Sequence, residues 1–340
     1  MIRPSYAVAV AGMLTTGAMA ITVQAQAESV EAFYRGKTIS VLIPSAPGGG
    51  YDRYGRLVAR HMGERVPGKP TLVPRNIPGA GGVIEANQLY TASPKDGTVI
   101  GIIQHNIPFR PIFDPRQVRY KVEGFRWLGS VTPITNTAIV NKSSGIASVG
   151  DLFTKELIVG SSGGTTTYLP STVNSVLGTK IKLISGYKNT TDILLAMERR
   201  EVEGLVGIGL TSLRGSKAAK DVDYKILFQM AYKKHPDLLD VPLVQDHAKK
   251  PDDKAVMEAI FASFSIGRSF VTLDIPEDRL AALRAAFKEM MMDPKFIEEA
   301  RKSKAEVSYV SPEEIQDIIK MVYGLPKPIL ERAAKAFTGG

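Results

Sequence analysis

The chain has 340 residues, 44% of them apolar, with 43 Lys and Arg against 34 Asp and Glu and no cysteine. This is the composition of a globular chain of about two domains, long enough to bury a core without covalent staples. The absence of cysteine excludes disulfides, thiolate zinc sites, iron–sulfur clusters and cysteine nucleophiles, and the net charge of +9 is spread without the basic block of a nucleic-acid binder.

The N-terminus reads as an export signal. Arg3 precedes a mostly apolar run over 6–21, and Ala25-Gln26-Ala27 offers small residues at the cleavage positions. The run is shorter than the roughly 20 apolar residues that span a bilayer, so a cleaved peptide over 1–27 and a mature chain outside the cytoplasm are expected.

From Thr38 short β-rich runs alternate with amphipathic ones, the pattern of βαβ units and a mostly parallel sheet. The first strand is predicted over 38–43 and ends at Pro44. After a glycine-rich turn, Tyr54, Leu57, Val58, His61 and Met62 recur at helical spacing. A second strand is predicted over 71–73, a helix over 81–91 and a third strand over 98–103. The alternation breaks over 125–136, which reads as a crossing to a second lobe; Trp127, the single tryptophan, lies near it and would then report lobe closure.

The second array is predicted as helix 148–154, strand 157–160, helix 165–177, strand 181–184, helix 191–202 and strand 204–209, continued at 225–230. Residues 261–270 read as the return connection. Beyond it Leu280, Leu283, Phe287, Met290 and Met291 share one helical face, and Ser311-Pro312-Glu313-Glu314 opens the last helix with Ser as N-cap, Pro at N1 and Glu at N3. The expected division is 28–130 plus 262–340 for one lobe and 131–261 for the other.

Chemistry concentrates at the strand-to-helix turns. In Pro44-Ser45-Ala46-Pro47-Gly48-Gly49-Gly50-Tyr51-Asp52, three glycines let bare backbone approach a ligand, and the helix that follows turns its free N–H groups and positive end toward it. A carboxylate or phosphate suits such a place. The bland alternative is a permissive loop with Asp52 capping its helix. Asn76-Ile77-Pro78-Gly79-Ala80-Gly81-Gly82 occupies the same place in the next unit, and parallel strands put both turns at one sheet edge, where open α/β sheets bind ligands. Neither turn matches the dinucleotide fingerprint or the Walker pattern.

Ser161-Ser162-Gly163-Gly164-Thr165-Thr166-Thr167 repeats the arrangement in the second lobe, with hydroxyls as further donors or merely as helix caps. Tyr187 and Lys188, after the next strand, could reach a second carboxylate or lie in a solvated loop. Gln104 and His105 follow the third strand and are expected to line the cleft. Asp52, itself anionic, is expected to cap its helix or hold waters.

The four histidines, His61, His105, His235 and His247, lack metal-ligand spacing, and no Gly-x-Ser-x-Gly elbow is present. No metal or cofactor is therefore expected. A secreted hydrolase would have to use Ser45 or Ser162 as nucleophile with His105 as base, and no residue orients that base.

Pro44 to Asp52, Asn76 to Gly82 and Ser93-Pro94-Lys95-Asp96-Gly97-Thr98 together resemble the solute-binding receptors of tripartite tricarboxylate transporters, the Bordetella uptake gene family. The likeness extends to Asp240-Val241-Pro242-Leu243-Val244 and Asp293-Pro294. It implies a two-lobed, type II-like periplasmic binding-protein fold, each lobe a mixed, mostly parallel sheet flanked by helices. It also implies a non-enzymatic monomeric receptor in the periplasm that closes on a small di- or tricarboxylate and meets membrane transporter subunits transiently. By that resemblance the 44–52 and 76–82 turns hold one carboxylate, and the 161–167 turn supplies donors from the other lobe. A chemosensory receptor would share the same cleft.

Overall fold

The computed structural model describes Met1 and residues 28–338. Apart from Met1, the expected export signal lies outside the described residues.

A short helix, α1 (Val30–Tyr34), is capped by the Ser29 hydroxyl. It is followed by β1 (Thr38–Ile43), α2 (Gly50–Met62), β2 (Thr71–Asn76), α3 (Val83–Ala92), β3 (Val99–Ile102), α4 (Arg110–Phe113) and β4 (Arg126–Ser130). The next set is β5 (Asn136–Asn141), β6 (Leu157–Ser161), α5 (Thr165–Leu177), β7 (Ile181–Ser185), α6 (Thr190–Glu198), β8 (Gly204–Gly209), α7 (Leu210–Gly215) and β9 (Tyr224–Met230). Helix α8 (Pro251–Ser265) leads back to β10 (Ser269–Thr272), and α9 (Glu277–Met292), α10 (Pro294–Lys302), α11 (Pro312–Tyr323) and α12 (Lys327–Thr338) complete the described chain.

The strands form two five-stranded sheets, ordered β2-β1-β3-β10-β4 and β7-β6-β8-β5-β9. In each, one strand runs against the other four: β10 is antiparallel to β3 and β4, and β5 is antiparallel to β8 and β9. The cause is the connectivity. Both odd strands enter from the opposite sheet, so each starts at the edge where its neighbours end. The fold is thus a pair of mixed α/β sheets flanked by helices, as expected.

Two crossing segments join the sheets, 131–135 and the stretch between α8 and β10. They are tied together, because Arg268 N–H donates to Thr132 O at 3.0 Å and Val131 N–H donates to Arg268 O at 3.1 Å. A third stretch lies alongside: Ser308 N–H donates to Val131 O at 2.8 Å.

Local signals explain most elements. Leu280, Leu283, Phe287, Met290 and Met291 are all buried on one face of α9, and the Ser311–Glu314 box forms in both directions. Four expectations need correction. Residues 149–153 form a 3₁₀ turn opened by a Ser148–Asp151 box rather than an α-helix, and α11 is followed by a further helix, α12. Residues 261–265 belong to α8, so the return connection is only a short link before β10. Trp127 lies inside β4, 2% exposed, short of the crossing.

Candidate functional site

The two glycine turns of the first sheet are neighbours in space. β1 and β2 are parallel and end in register, Ile43 beside Asn76, so the chain leaves both strands at one edge. Side chains then stitch the turns together. Asn76 Nδ2 donates to Ser45 O and to Asp52 Oδ1, each at 2.8 Å. Arg56 donates through Nε to Asp52 Oδ1 and through Nη2 to Asn76 Oδ1, also at 2.8 Å.

Asp52 is therefore structural. Burial pushes its carboxyl pKa up, but the bonds from Arg56, the Gly48 N–H and Asn76 outweigh that and hold it below the ordinary value. The Gly48 N–H, expected to face a ligand, is spent on Asp52 Oδ2 at 2.8 Å. Gly49 is the N-cap of α2 without a side-chain cap bond, and the N–H groups of Gly49, Gly50 and Tyr51 have no partner among the described residues. Ser45 Oγ is buried and likewise unpartnered, while Ala46 is exposed.

The second turn is held open by backbone that only glycine adopts readily. Gly79, Gly81 and Gly82 have φ of 137°, 61° and 91°, with Ala80 between them at 46°. A Cβ on Gly82 would stand 2.5 Å from Gln104 Cγ, so Gln104 rests directly beneath this turn. The N–H groups of Gly79, Ala80 and Gly81 have no partner among the described residues.

His105 joins the first turn through Tyr51. The His105 N–H donates to the Tyr51 hydroxyl at 3.1 Å, and that hydroxyl lies 3.2 Å from His105 Nδ1. The hydroxyl thus holds both the backbone N–H and the ring of His105, and it can meet Nδ1 as donor or as acceptor. Burial, and second the nearby Arg268 guanidinium, lower the imidazole pKa to about 3, so the ring is neutral. Nε2 itself is buried without a partner. No serine bonds to this ring among the described residues, so the Ser–His pair that hydrolysis would require is not formed.

In the second sheet the hydroxyls are taken up by other groups of the protein, and none of them caps α5, whose N-cap is Gly164. Thr166 Oγ1 donates to Gly163 O at 2.8 Å and accepts from the Ser162 N–H at 2.9 Å, while Thr165 Oγ1 donates to Gly207 O at 2.7 Å. The threonine hydroxyls are therefore consumed within the turn and against β8, and the Gly163 N–H is directed at Ser161 Oγ. What remains unpartnered is the N–H set of Gly164, Thr165 and Thr166 at the start of α5. Tyr168, one turn further, is held protonated by burial and then by the neighbouring Tyr51. Tyr187 packs over Gly160 on β6, and Lys188 is exposed without an ion pair among the described residues.

One residue had no local signature. Arg268, in the second crossing, places its guanidinium 4.1 Å from the centre of the Tyr51 ring and 5.5 Å from that of Tyr54. Its Nη2 stands 3.2 Å from where a Cβ of Gly50 would be.

A cavity of about 620 Å³ lies elsewhere, against the first crossing, and no residue of the glycine turns lines it. Some of its polar side chains pair with one another. Arg214 Nη1 meets Asp237 Oδ2 at 2.7 Å, and His235 Nε2 stands 3.8 Å from Glu306 Oε2. The glycine turns present unanswered donors, and on that chemical ground the candidate site is placed there. Among the described residues no three potential ligands could hold a metal ion, and no helix is long and apolar enough to cross a membrane.

Two mixed five-stranded sheets flanked by helices and joined by paired crossings are the architecture of two-lobed periplasmic binding proteins. No protein-family model matches the chain. It is 24% identical over 277 residues to a UPF0065 protein of Agrobacterium vitis, covering 78% of this chain and 74% of that one. A second UPF0065 protein, from Pseudomonas sp. (strain P51), is 23% identical over 312 residues, covering 89% and 88%. Among solved structures, a TctC solute-binding protein from Polaromonas superposes with a TM-score of 0.67 at 15% identity, over 88% of this chain and 99% of that one. Rpa4515 of R. palustris, solved with adipate, gives 0.62 at 20% over 87% and 97%, and MatC of Rhodopseudomonas palustris, with bound malate, gives 0.60 at 16% over 87% and 99%. These findings support the resemblance to the Bordetella uptake gene receptors read from the glycine motifs.

Proposed function

We propose that the chain is a periplasmic solute-binding receptor that closes two lobes on a small organic carboxylate and delivers it to a tripartite tricarboxylate transporter. The lobes would be 28–130 plus 262–340 and 131–261, moving about the paired crossings as a monomer after removal of the export signal. The observation that carries the reading is the pair of stitched glycine turns, whose N–H groups at Gly49, Gly50, Tyr51 and Gly79 to Gly81 await an acceptor. Such donors satisfy a carboxylate without a countercharge of their own. The amides at the start of α5 would reach the ligand only when the lobes meet, so binding would shift the population toward the closed form. The likeness in fold to proteins solved with adipate and malate supports this choice of ligand class.

Calorimetric titration with malate, adipate and citrate tests it. At least one should bind and be recovered unchanged. Gly49→Asp should abolish binding by adding bulk and a like charge, while Lys69→Ala, at an exposed ion pair with Glu64, should not change it. Turnover of the bound acid, or equal effects of the two substitutions, would refute the reading.

A further inference from the structure

We infer that Arg268 is a ligand-binding residue and that its guanidinium holds the same carboxylate as the first turn of α2; this rests on the carboxylate reading above. Its position is electrostatically unfavourable in the absence of an anion. The guanidinium stands beside Gly50, the first residue of α2, where the helix presents its own positive end and where cations are normally avoided.

No carboxylate answers it. The ion pairs among the described residues include Arg56 with Asp52, Arg65 with Asp293 and Arg214 with Asp237, but none with Arg268, and its side chain makes no hydrogen bond to the described residues. The guanidinium carbon lies over the Tyr51 ring, a contact that uses none of its N–H groups as hydrogen-bond donors, and those are the groups that take a carboxylate in a forked pair.

The neighbours point the same way. The His105 ring, 8% exposed, is bonded to Tyr51 and keeps an unpartnered Nε2, and the buried Ser45 Oγ is unpartnered beside Gly49. None of these unanswered groups brings negative charge, and the Ser45 hydroxyl can donate. The arm is also fixed in advance, because the Arg268 backbone bonds on both sides to the other crossing, through Thr132 O and the Val131 N–H. Gly50 completes the arrangement, since any side chain there would press on the guanidinium. An ionised, planar carboxylate is therefore the group recognised, and the corresponding amide or alcohol should be rejected.

The test uses the full chain with malate and adipate as probes, titrated calorimetrically at low and high salt, together with thermal unfolding without ligand. Arg268→Gln should weaken binding roughly ten- to a hundredfold and flatten the dependence of affinity on salt. Arg268→Lys should fall between, having lost the fork but not the charge. The ligand-free melting temperature of Arg268→Gln should stay within about 2 °C of the wild type or rise, since an unanswered cation has been removed from a helix start. Affinity within about twofold of wild type, or a ligand-free melting temperature several degrees lower, would overturn the assignment by showing that Arg268 serves packing on Tyr51 and Tyr54. If the wild type bound none of the carboxylates, the receptor reading would fall, and the ligand-free melting would still decide what Arg268 does.

Discussion

Asn76 Nδ2 stands 2.8 Å from Asp52 Oδ1, and this contact joins the turn after β1 to the turn after β2. It explains how two loops rich in glycine stay open without collapsing onto each other. The amide of Asn76 also bonds Ser45 O and Arg56, so one side chain holds three parts of the site.

Asn76→Ala should therefore cost about 1–3 kcal/mol of stability, because it removes three bonds around a buried carboxylate, and should weaken ligand binding by separating the turns. Urea unfolding and calorimetry read the two effects. Because the Asp52 pKa is lowered on folding, its contribution is complete above the ordinary value of 3.8 and is lost as acid protonates it. Asp52→Asn should accordingly narrow the stability gap to wild type as pH falls below that value.

His105 should stay neutral wherever the protein is folded. Its pKa, lowered to about 3 by burial and by Arg268, means that its share of stability is present above 6.5 and declines as pH falls from there toward 3. Ligand affinity should consequently show no inflection from this ring between about pH 5 and 8. Nitrogen-detected NMR should find a neutral imidazole throughout; an imidazolium signal at pH 6 would contradict the buried setting beside Arg268.

Glu85, on α3, is fully buried against Gly101 with both carboxyl oxygens unpartnered. Burial raises its pKa well above the ordinary value of 4.5. The sign follows: the folded state keeps this proton longer, so stability is greatest below 4.5 and falls as pH rises toward the folded-state value. Glu85→Gln should be more stable than wild type at pH 8 and lose that advantage at pH 4. Parallel urea midpoints across the range would show that the carboxyl is solvated after all.

Gly267 and Gly48 both have positive φ, 45° and 89°, yet their substitution should differ sharply. A Cβ on Gly267 would collide with the Thr132 carbonyl in the paired crossings, whereas one on Gly48 meets open space. Gly48→Ala should cost about 1–2 kcal/mol from backbone strain alone, and Gly267→Ala several times that or prevent folding. Equal melting temperatures for the two variants would mean that the crossings are not packed as described.

Trp127, buried within β4, should report unfolding of the first sheet and change little when ligand closes the lobes. Emission that shifted on ligand addition would place the hinge nearer β4 than the crossings suggest.

The parts of this protein that could be read from the chain are those encoded over short distances. A strand ending at Pro44, a glycine turn and an apolar helical face are neighbours in sequence, so the two glycine turns, the amphipathic α9 and the Ser311 cap were all visible before any coordinates. Three facts were not local. That β10 runs against its neighbours follows from where the chain re-enters the sheet, and only this direction delivers Arg268 to the start of α2, far away in sequence. Which donors are free depends on partners: Asp52 takes the Gly48 N–H, and in the 161–167 turn Thr166 bonds Gly163 O while Thr165 bonds Gly207 O on β8. The packing of Tyr187 over Gly160 likewise arises from two strands pairing. Composition and spacing state which groups a turn possesses; only three-dimensional pairing settles which of them are still unbonded when a ligand arrives.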